Sequence, residues 1–314
     1  MCGNRISNRV KRMAGCLCAA MCILLLLCAC ASAEDLDQSI GLDGVGNARE
    51  LGGYPAEDGR TVARGVFLRT AALANASVED IRRLRDDYRL CLVIDFRTTS
   101  EIEAAPDPEI DGVKYLHLGI IDEADMAARQ QAMSAEDVEG LDLTNKIDQL
   151  KLAIRLGIIG KNMYIDFLSG EQGKKGYARM FQEMLALPEG ESLLFHCTQG
   201  KDRTGLAAML ILSALGVDEE TILYDYALTN IFNAELIERE RQMLEGMGVE
   251  DDEFDLYMTA MDQIDPQYMV NALDWMKANY GSVLGYIQTE LGVSGEEIEL
   301  LKDRYLELVD EEVA

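Results

Sequence analysis

The chain has 314 residues, 48% of them hydrophobic, with 29 basic against 56 acidic side chains and a formal net charge of −27. That length allows about two domains, and the apolar content supplies a core, so wholesale disorder is excluded. A surface this acidic repels phosphate backbones and anionic lipid. Without a concentrated basic patch it argues against nucleic acid as a partner.

Six of the eight cysteines, Cys2, Cys16, Cys18, Cys22, Cys28 and Cys30, crowd the first thirty residues and leave Cys91 and Cys197 beyond them, which is no disulfide framework. Arg5, Arg9, Lys11 and Arg12 precede an apolar run over residues 13–33, and no acid occurs before Glu34. Ala31-Ser32-Ala33 suits a signal peptidase, Leu27-Cys28-Ala29-Cys30 suits a lipoprotein box with Cys30 lipidated, and the run is also long enough for an uncleaved anchor. All three place the rest of the chain outside the cytoplasm, secreted or tethered to a membrane through this leader. Taking four basic residues and no acid from the −27 leaves −31 on the remainder.

Residues 34–314 read as a single domain carrying an insertion. Residues 41–70 are rich in turns, with Asp58-Gly59 as a hairpin turn ahead of a Val66-Phe67-Leu68 strand. Ser77-x-x-Asp80 resembles a capping box and opens a helix expected to run to residue 89. Residues 90–96 and 113–118 are continuous apolar strands. With helices between them they predict an α/β fold around a central, buried and mainly parallel sheet. Residues 122–163 break the rhythm with helical segments, among them an Ile147, Leu150, Ile154, Ile158 stripe; a cap over a site and a peripheral helix pair fit equally. A helix over 177–187, a strand over 192–196 and a strongly apolar helix over 205–215 ended by Gly216 follow. The next helix starts near Asp218, and the C-terminal region to residue 309 is helical, with the acidic run 250–253 as solvated surface.

The segment His196-Cys197-Thr198-Gln199-Gly200-Lys201-Asp202-Arg203-Thr204-Gly205 sits between strand and helix. A thiolate there lies at the positive end of a helix and beside an arginine, surroundings that draw cysteine pKa values from about 8.5 to between ~3.5 and ~7.5. Gly200 lets backbone N–H groups converge on a tetrahedral anion, and Arg203 offers a fork of donors. Cys91 to Arg97 repeats the spacing, but Leu92-Val93-Ile94-Asp95-Phe96 is a strand with no glycine and cannot curl round an anion. A Gly-x4-Gly-Lys-Ser/Thr nucleotide loop is excluded, because Phe195 and Asp202 stand in its place.

His-Cys-x5-Arg-Thr-Gly resembles the protein tyrosine phosphatase superfamily, and Gly-Lys-Asp-Arg-Thr-Gly is similar to its bacterial tyrosine and dual-specificity branch. The similarity extends to Asn47-x-Arg49-x-Leu51-Gly52-Gly53-Tyr54, to Asp58-Gly59-Arg60, to Val93-Ile94-Asp95-Phe96-Arg97 and to Asp225-Tyr226-x-Leu228-Thr229-Asn230. It implies a phosphatase-like fold over residues 41–312, with a variable helical lid at 122–163. It also implies Cys197 as nucleophile, Arg203 as phosphate clamp and Asp202 as acid, with His196, Thr198, Gln199, Gly200, Lys201 and Thr204 shaping or binding the phosphate seat. The resemblance calls for no cofactor, and a two-step reaction through phosphocysteine needs no metal.

A departing phenol with a pKa near ~10, and still more an alkyl alcohol, requires a proton. Asp202 and Asp95 are the acid candidates, with Asp122 or Asp125 as a third source. Thr204 can hydrogen-bond the regenerated sulfur, and His196 fixes the loop or simply ends a strand. Lys201 resembles the lysine of phosphoinositide phosphatases, although Thr198 stands where a second lysine would be, and a loop-packing role fits Lys201 as well. The substrate expected is a phosphotyrosyl protein or peptide, with phosphoserine/threonine or phosphoinositide as further classes. The alternatives are an inositol-polyphosphate phosphatase, a non-catalytic phosphate-binding pseudophosphatase and a sulfurtransferase. Cys91 reads as inert core or as a redox partner of Cys197.

Overall fold

A computed structural model describes residues 37–134, 136–249 and 251–308. The leader and its three alternatives lie outside the described residues. Five strands form one sheet in the order β1 (Arg49–Glu50), β3 (Phe67–Thr70), β6 (Ser192–His196), β4 (Leu90–Asp95), β5 (Lys114–His117), once β2 (Arg60–Val62) is set apart. Only β1 runs antiparallel; β3, β6, β4 and β5 are parallel. The α/β class and the mainly parallel sheet therefore match expectation.

The continuous apolar runs have a direct cause, since both faces of the central strands are covered. Phe67, Leu92, Ile94, Leu193 and Phe195 pack into the larger core, while Leu68, Leu90, Val93 and Leu194 face a second core with Ile40, Val45, Leu73 and Leu84. The larger core is built on a helix over Asp202–Ala214, in which all residues but Asp202 and Ser213 are buried. It is apolar all round because it is covered on every side.

The helices are α1 (Val78–Arg82), α2 (Thr99–Ala104), α3 (Glu123–Gln131), α4 (Lys146–Arg155), α5 (Met163–Ser169), α6 (Glu171–Ala186), α7 (Asp202–Ala214), α8 (Glu219–Phe232), α9 (Ala234–Gly246), α10 (Asp251–Ala260), α11 (Pro266–Tyr280), α12 (Val283–Glu290) and α13 (Gly295–Tyr305). Several departures from the sequence expectation are local. The helix opened by the Ser77 capping box gives way after Arg82 to a π turn, Arg83–Asp87, that keeps Leu84 buried. Short α2 was not expected. The C-terminal segment does not stay helical, because Leu306–Leu308 forms β7 and pairs antiparallel with β2. The Asp58-Gly59 turn is present, with Gly59 at φ 82°, but it leads into β2 rather than directly into β3.

The segment 122–163 holds exposed α3 and amphipathic α4. Ile147 of α4, with Leu150 and Ile154 beside it, joins Leu244 of α9 and Tyr257, Met258 and Met261 of α10 and its exit in a third, separate core. The helical stripe thus has a buried partner of its own, away from the sheet.

Leu210, fully buried at the centre of α7, tests which core carries the fold. Leu210→Ala is expected to destabilise the protein by about 2–5 kcal/mol, read from urea midpoints at unchanged m-value.

Candidate active site

Strands β3, β6 and β4 end side by side, with Thr70 and Asp95 in register with His196. The loop 197–201 therefore leaves the carboxyl edge of the sheet, where open α/β sheets form their crevices. It runs into the N-terminus of α7, whose first N–H groups have no partner within the helix. Gly200 has φ 65°, and a Cβ there would lie 2.5 Å from the Thr70 carbonyl oxygen, so the turn requires glycine.

The carbonyls of this loop are pulled outward. Asn47 Nδ2 donates to Gln199 O at 3.1 Å and to Gly200 O at 2.8 Å, Arg69 Nη2 donates to Gly200 O at 2.8 Å, and Ala72 N–H donates to Thr198 O at 3.1 Å. Among the described residues, the N–H groups of Thr198, Gln199, Gly200 and Lys201 donate to no protein acceptor. Donors without partners and carbonyls turned away make an anion cradle.

Asp225 of α8 fixes the two arginines behind that wall. Arg49 Nε donates to Asp225 Oδ1 at 3.0 Å, Arg69 pairs with Asp225 Oδ2, and Tyr54 Oη donates to Asp225 Oδ1 at 3.2 Å. Burial, then the neighbouring Arg49 charge, push Arg69 down to about 10 against the pull of Asp225. Burial favours the neutral acid at Asp225, but the two guanidiniums outweigh it and hold its pKa below the ordinary carboxylate value. The sequence similarity around Asn47, Arg49 and Asp225 thus has one physical origin, the rear of the loop.

Cys197 is 2% exposed at the base of the loop. Arg203, on the first turn of α7, is held by Glu101 of α2 through Nη1 to Oε2 at 2.6 Å and Nη2 to Oε1 at 2.8 Å. Its remaining Nη hydrogens reach Phe96 O and Thr198 Oγ1, each at 3.3 Å, which leaves Nε and the weakly held Nη2 hydrogen for a ligand. Burial opposes the charge on Arg203, yet the hydrogen bonds of Glu101 and the charges of Cys197 and Glu101 raise its pKa. Burial likewise works against ionised Glu101, and the Arg203 pairing overrides it and brings the acid to about 2. Glu101 was missed in the sequence, although Thr98-x-x-Glu101 spells a capping box and the structure forms it.

Asp202 accepts from Tyr164 Oη of α5 at 2.7 Å, and that hydroxyl is 2.7 Å from Tyr226 Oη of α8. Asp95 is engaged elsewhere. Arg97 donates to it through Nη2 at 2.7 Å, through Nε at 3.0 Å and through its own N–H at 2.9 Å. Burial raises the pKa of Asp95, but Arg97 and then His196 more than offset that and leave it lowered. Asp122 caps α3, and Asp125 pairs with Arg129 at 2.6 Å, both within α3.

His196 is fully buried, with Nδ1 3.2 Å from Cys197 O and Nε2 3.1 Å from Asp107 Oδ2. Asp95, Asp107 and His196 offer three ligand-type atoms within 4.8 Å of one another, a cluster in which Asp107 went unnoticed in the sequence. The Arg97 guanidinium already bonds both carboxylates at 2.7 Å, so a fixed cation stands where a metal would bring charge. His117 Nε2 lies 2.7 Å from Arg97 O on the same floor. Thr204 Oγ1 is buried and has no hydrogen-bond partner, the sulfur of Cys197 included.

Two expected roles do not fit these positions. Lys201 is 2% exposed, and its Nζ turns from the loop to donate to Thr259 O at 2.8 Å and Met261 O at 2.6 Å, 3.7 Å from Asp202 Oδ2, a loop-packing position for the side chain. Cys91 lies near the amino end of β4, four to five residues along the sheet from Cys197. At ~3.3 Å per residue that is ~13–16 Å, beyond the ~7 Å Cα separation a disulfide spans. A redox pair is ruled out in this fold.

Glu101 carries a pH prediction. Its pKa is lower folded than unfolded, so its stabilising contribution is complete above the usual 4.5 and is lost as pH falls toward about 2. Wild type should exceed Glu101→Gln in melting temperature at pH 6, and the gap should close between about pH 4.5 and pH 2. Orthovanadate, a tetrahedral oxyanion, should bind Glu101→Gln ~10- to 100-fold more weakly at pH 6, by titration calorimetry.

Residues 40–307 match the model of the tyrosine phosphatase family. A Cupriavidus necator protein with the provisional name tyrosine-protein phosphatase is 30% identical over 271 residues, covering 85% of this chain and 88% of that one. A Nostoc commune tyrosine-protein phosphatase is 26% identical over 264 residues, 80% and 77% of the two chains. The triple specificity protein phosphatase PtpB of Mycobacterium tuberculosis matches 59 residues at 39% identity, 19% of this chain and 21% of that one. A loop of unpartnered N–H groups with a cysteine at its base, on a chain similar over most of its length to these proteins, leads to one conclusion: this chain belongs to the tyrosine phosphatase family.

Proposed function

We propose that this phosphatase hydrolyses phosphotyrosine in proteins or peptides through a phosphocysteine intermediate, with Cys197 as nucleophile, Arg203 as clamp and Asp202 as general acid. The observation that carries the reading is the cradle itself. The N–H groups of Thr198, Gln199, Gly200 and Lys201 stand without protein acceptors around a buried cysteine, and a guanidinium fixed by Glu101 lies beside them. The same donors suit a thiolate in the resting enzyme and the equatorial oxygens of a phosphoryl group in flight.

In the first step Cys197 Sγ bonds to phosphorus as the ester P–O bond breaks, and the departing oxygen takes its proton from Asp202. In the second, Asp202 as carboxylate takes a proton from water, the water oxygen bonds to phosphorus, and the S–P bond breaks to return the thiolate and free phosphate. Thr204, with an unengaged buried hydroxyl, has a donor for that leaving sulfur. Asp202 is favoured over Asp95 because Asp95 is tied by Arg97 on both oxygens, whereas Asp202 has one strong hydrogen bond, to Tyr164, and a looser ion pair with Lys201 Nζ at 3.7 Å.

The substrate assignment rests on the same geometry. With Lys201 Nζ on main-chain carbonyls, no described lysine of the loop faces the seat to meet a second phosphate, which weighs against phosphoinositide and inositol-polyphosphate substrates. Extracytoplasmic action, secreted or tethered, rests on the leader motif in residues 1–33. Residues 34–314 serve as one phosphatase unit, with the 122–163 helices as its lid-side insertion.

Cys197→Ser should abolish hydrolysis of phosphotyrosyl peptide while keeping orthovanadate binding, and turnover by that variant rejects the nucleophile. Asp202→Asn should slow alkyl phosphates ~10²- to 10⁴-fold and nitrophenyl phosphate, which has a better leaving group, far less. A leaving-group-dependent loss in Asp95→Asn, absent from Asp202→Asn, exchanges the two roles.

A further inference from the structure

Lys201 belongs to the phosphate loop by its backbone and to another part of the molecule by its nitrogen. Its side chain crosses to the α10–α11 connection, where Nζ meets Thr259 O at 2.8 Å, Met261 O at 2.6 Å and, more distantly, Gln263 O at 3.5 Å. Thr259 lies in the last turn of α10, which has no basic residue of its own there, so Lys201 supplies the cation that a helix C-terminus favours. Met261 belongs to the third core, into which α4 inserts Ile147. One side chain therefore joins the loop that holds the anion to the helical satellite made by α4, α9 and α10.

We propose that Lys201 is a positioning residue that couples the phosphate loop to this satellite, and that it reads no second phosphate on the substrate. The inference rests on the phosphatase reading above. A swing of Lys201 toward a ligand would leave two main-chain carbonyls, now bonded to a buried ammonium, without their donor, and nothing in the seat compensates for that before the ligand arrives. Lys201 is also the N-cap of α7, immediately before Asp202 and Arg203. Its anchor therefore sets the entry of the helix that carries both the acid and the clamp. A shift of about 1 Å at such a point is enough to cost ~10²-fold in rate.

The test compares wild type, Lys201→Met and Lys201→Arg on nitrophenyl phosphate, phosphotyrosyl peptide and a soluble phosphoinositide. Lys201→Met should lose kcat by the same ~10- to 100-fold factor on every substrate that wild type turns over, and Lys201→Arg, which keeps donors for the carbonyls, should recover most of it. In the double variant with Ile147→Ala the loss should be no greater than that of the worse single change. A loss confined to the phosphoinositide, no loss at all, or strictly multiplicative losses in the double variant overturn the proposal. A second measurement needs no turnover: orthovanadate should slow amide hydrogen exchange over residues 253–263 in wild type and not in Lys201→Met. Absence of that protection in wild type overturns the coupling. A wild type that binds vanadate, shows the protection and hydrolyses nothing instead overturns the phosphatase reading and leaves the coupling standing.

Discussion

The outward turn of two carbonyls, those of Gln199 and Gly200, is the constraint on which the site depends. Asn47 and Arg69 hold them from behind, and the N–H groups on the opposite side of each peptide must then face the seat. Peptide planarity makes this a rigid consequence: fixing a carbonyl direction fixes the neighbouring N–H. The buried Arg49, Arg69 and Asp225 group is therefore more than a stability element, since moving it rotates the N–H groups that face the proposed seat. Its isolation from water lets it act without competition from solvent, and also makes the loss of either partner costly.

A second buried group lies beneath the loop. Asp95, Arg97, Asp107 and His196 tie the ends of β4 and β6 to the segment after α2, and Asp107 reaches further to the N–H of Leu73 at 2.7 Å. Two carboxylates share one guanidinium, so each acid has a cation within hydrogen-bond reach. In sequence Asp95 looked like a candidate acid because it stands near a strand's carboxyl end. In space its oxygens are already committed to Arg97, a fact that depends on where the Arg97 side chain folds back.

What was legible in the sequence was local. The strand, glycine and helix around Cys197 declare themselves within ten residues, and continuous apolar runs declare a sheet covered on both faces. Glu101 was less visible because its signal, a capping box four residues long, is common and says nothing about which arginine the side chain will meet. Lys201 was ambiguous for the same reason, since four rotatable bonds separate its backbone from its charge and the acceptors come from the end of α10 and the connection that follows it. The β2–β7 pair escaped because three-residue strands carry no periodicity, and their partners lie at nearly opposite ends of the chain. In the insertion, the Ile147, Leu150, Ile154 stripe was readable as a helix face, while the face it packs on, from α9 and α10, was not.

The electrostatics of the site are those of geometry rather than of net charge. Around the loop Arg49, Arg69, Arg97, Arg203 and Lys201 are balanced by Asp95, Glu101, Asp107, Asp202 and Asp225, while the whole chain carries −27. An approaching anion thus meets a repulsive field, screened over ~8 Å at physiological ionic strength, and gains attraction only once its oxygens reach the N–H groups and Arg203. A ligand with many phosphates experiences that repulsion on each of them and satisfies one. A single phosphate carried on a protein side chain bears the least repulsion for the same grip, and its polypeptide can add contacts outside the seat. The field and the buried Lys201 amine therefore weigh, by independent routes, toward the monophosphate protein substrate proposed above.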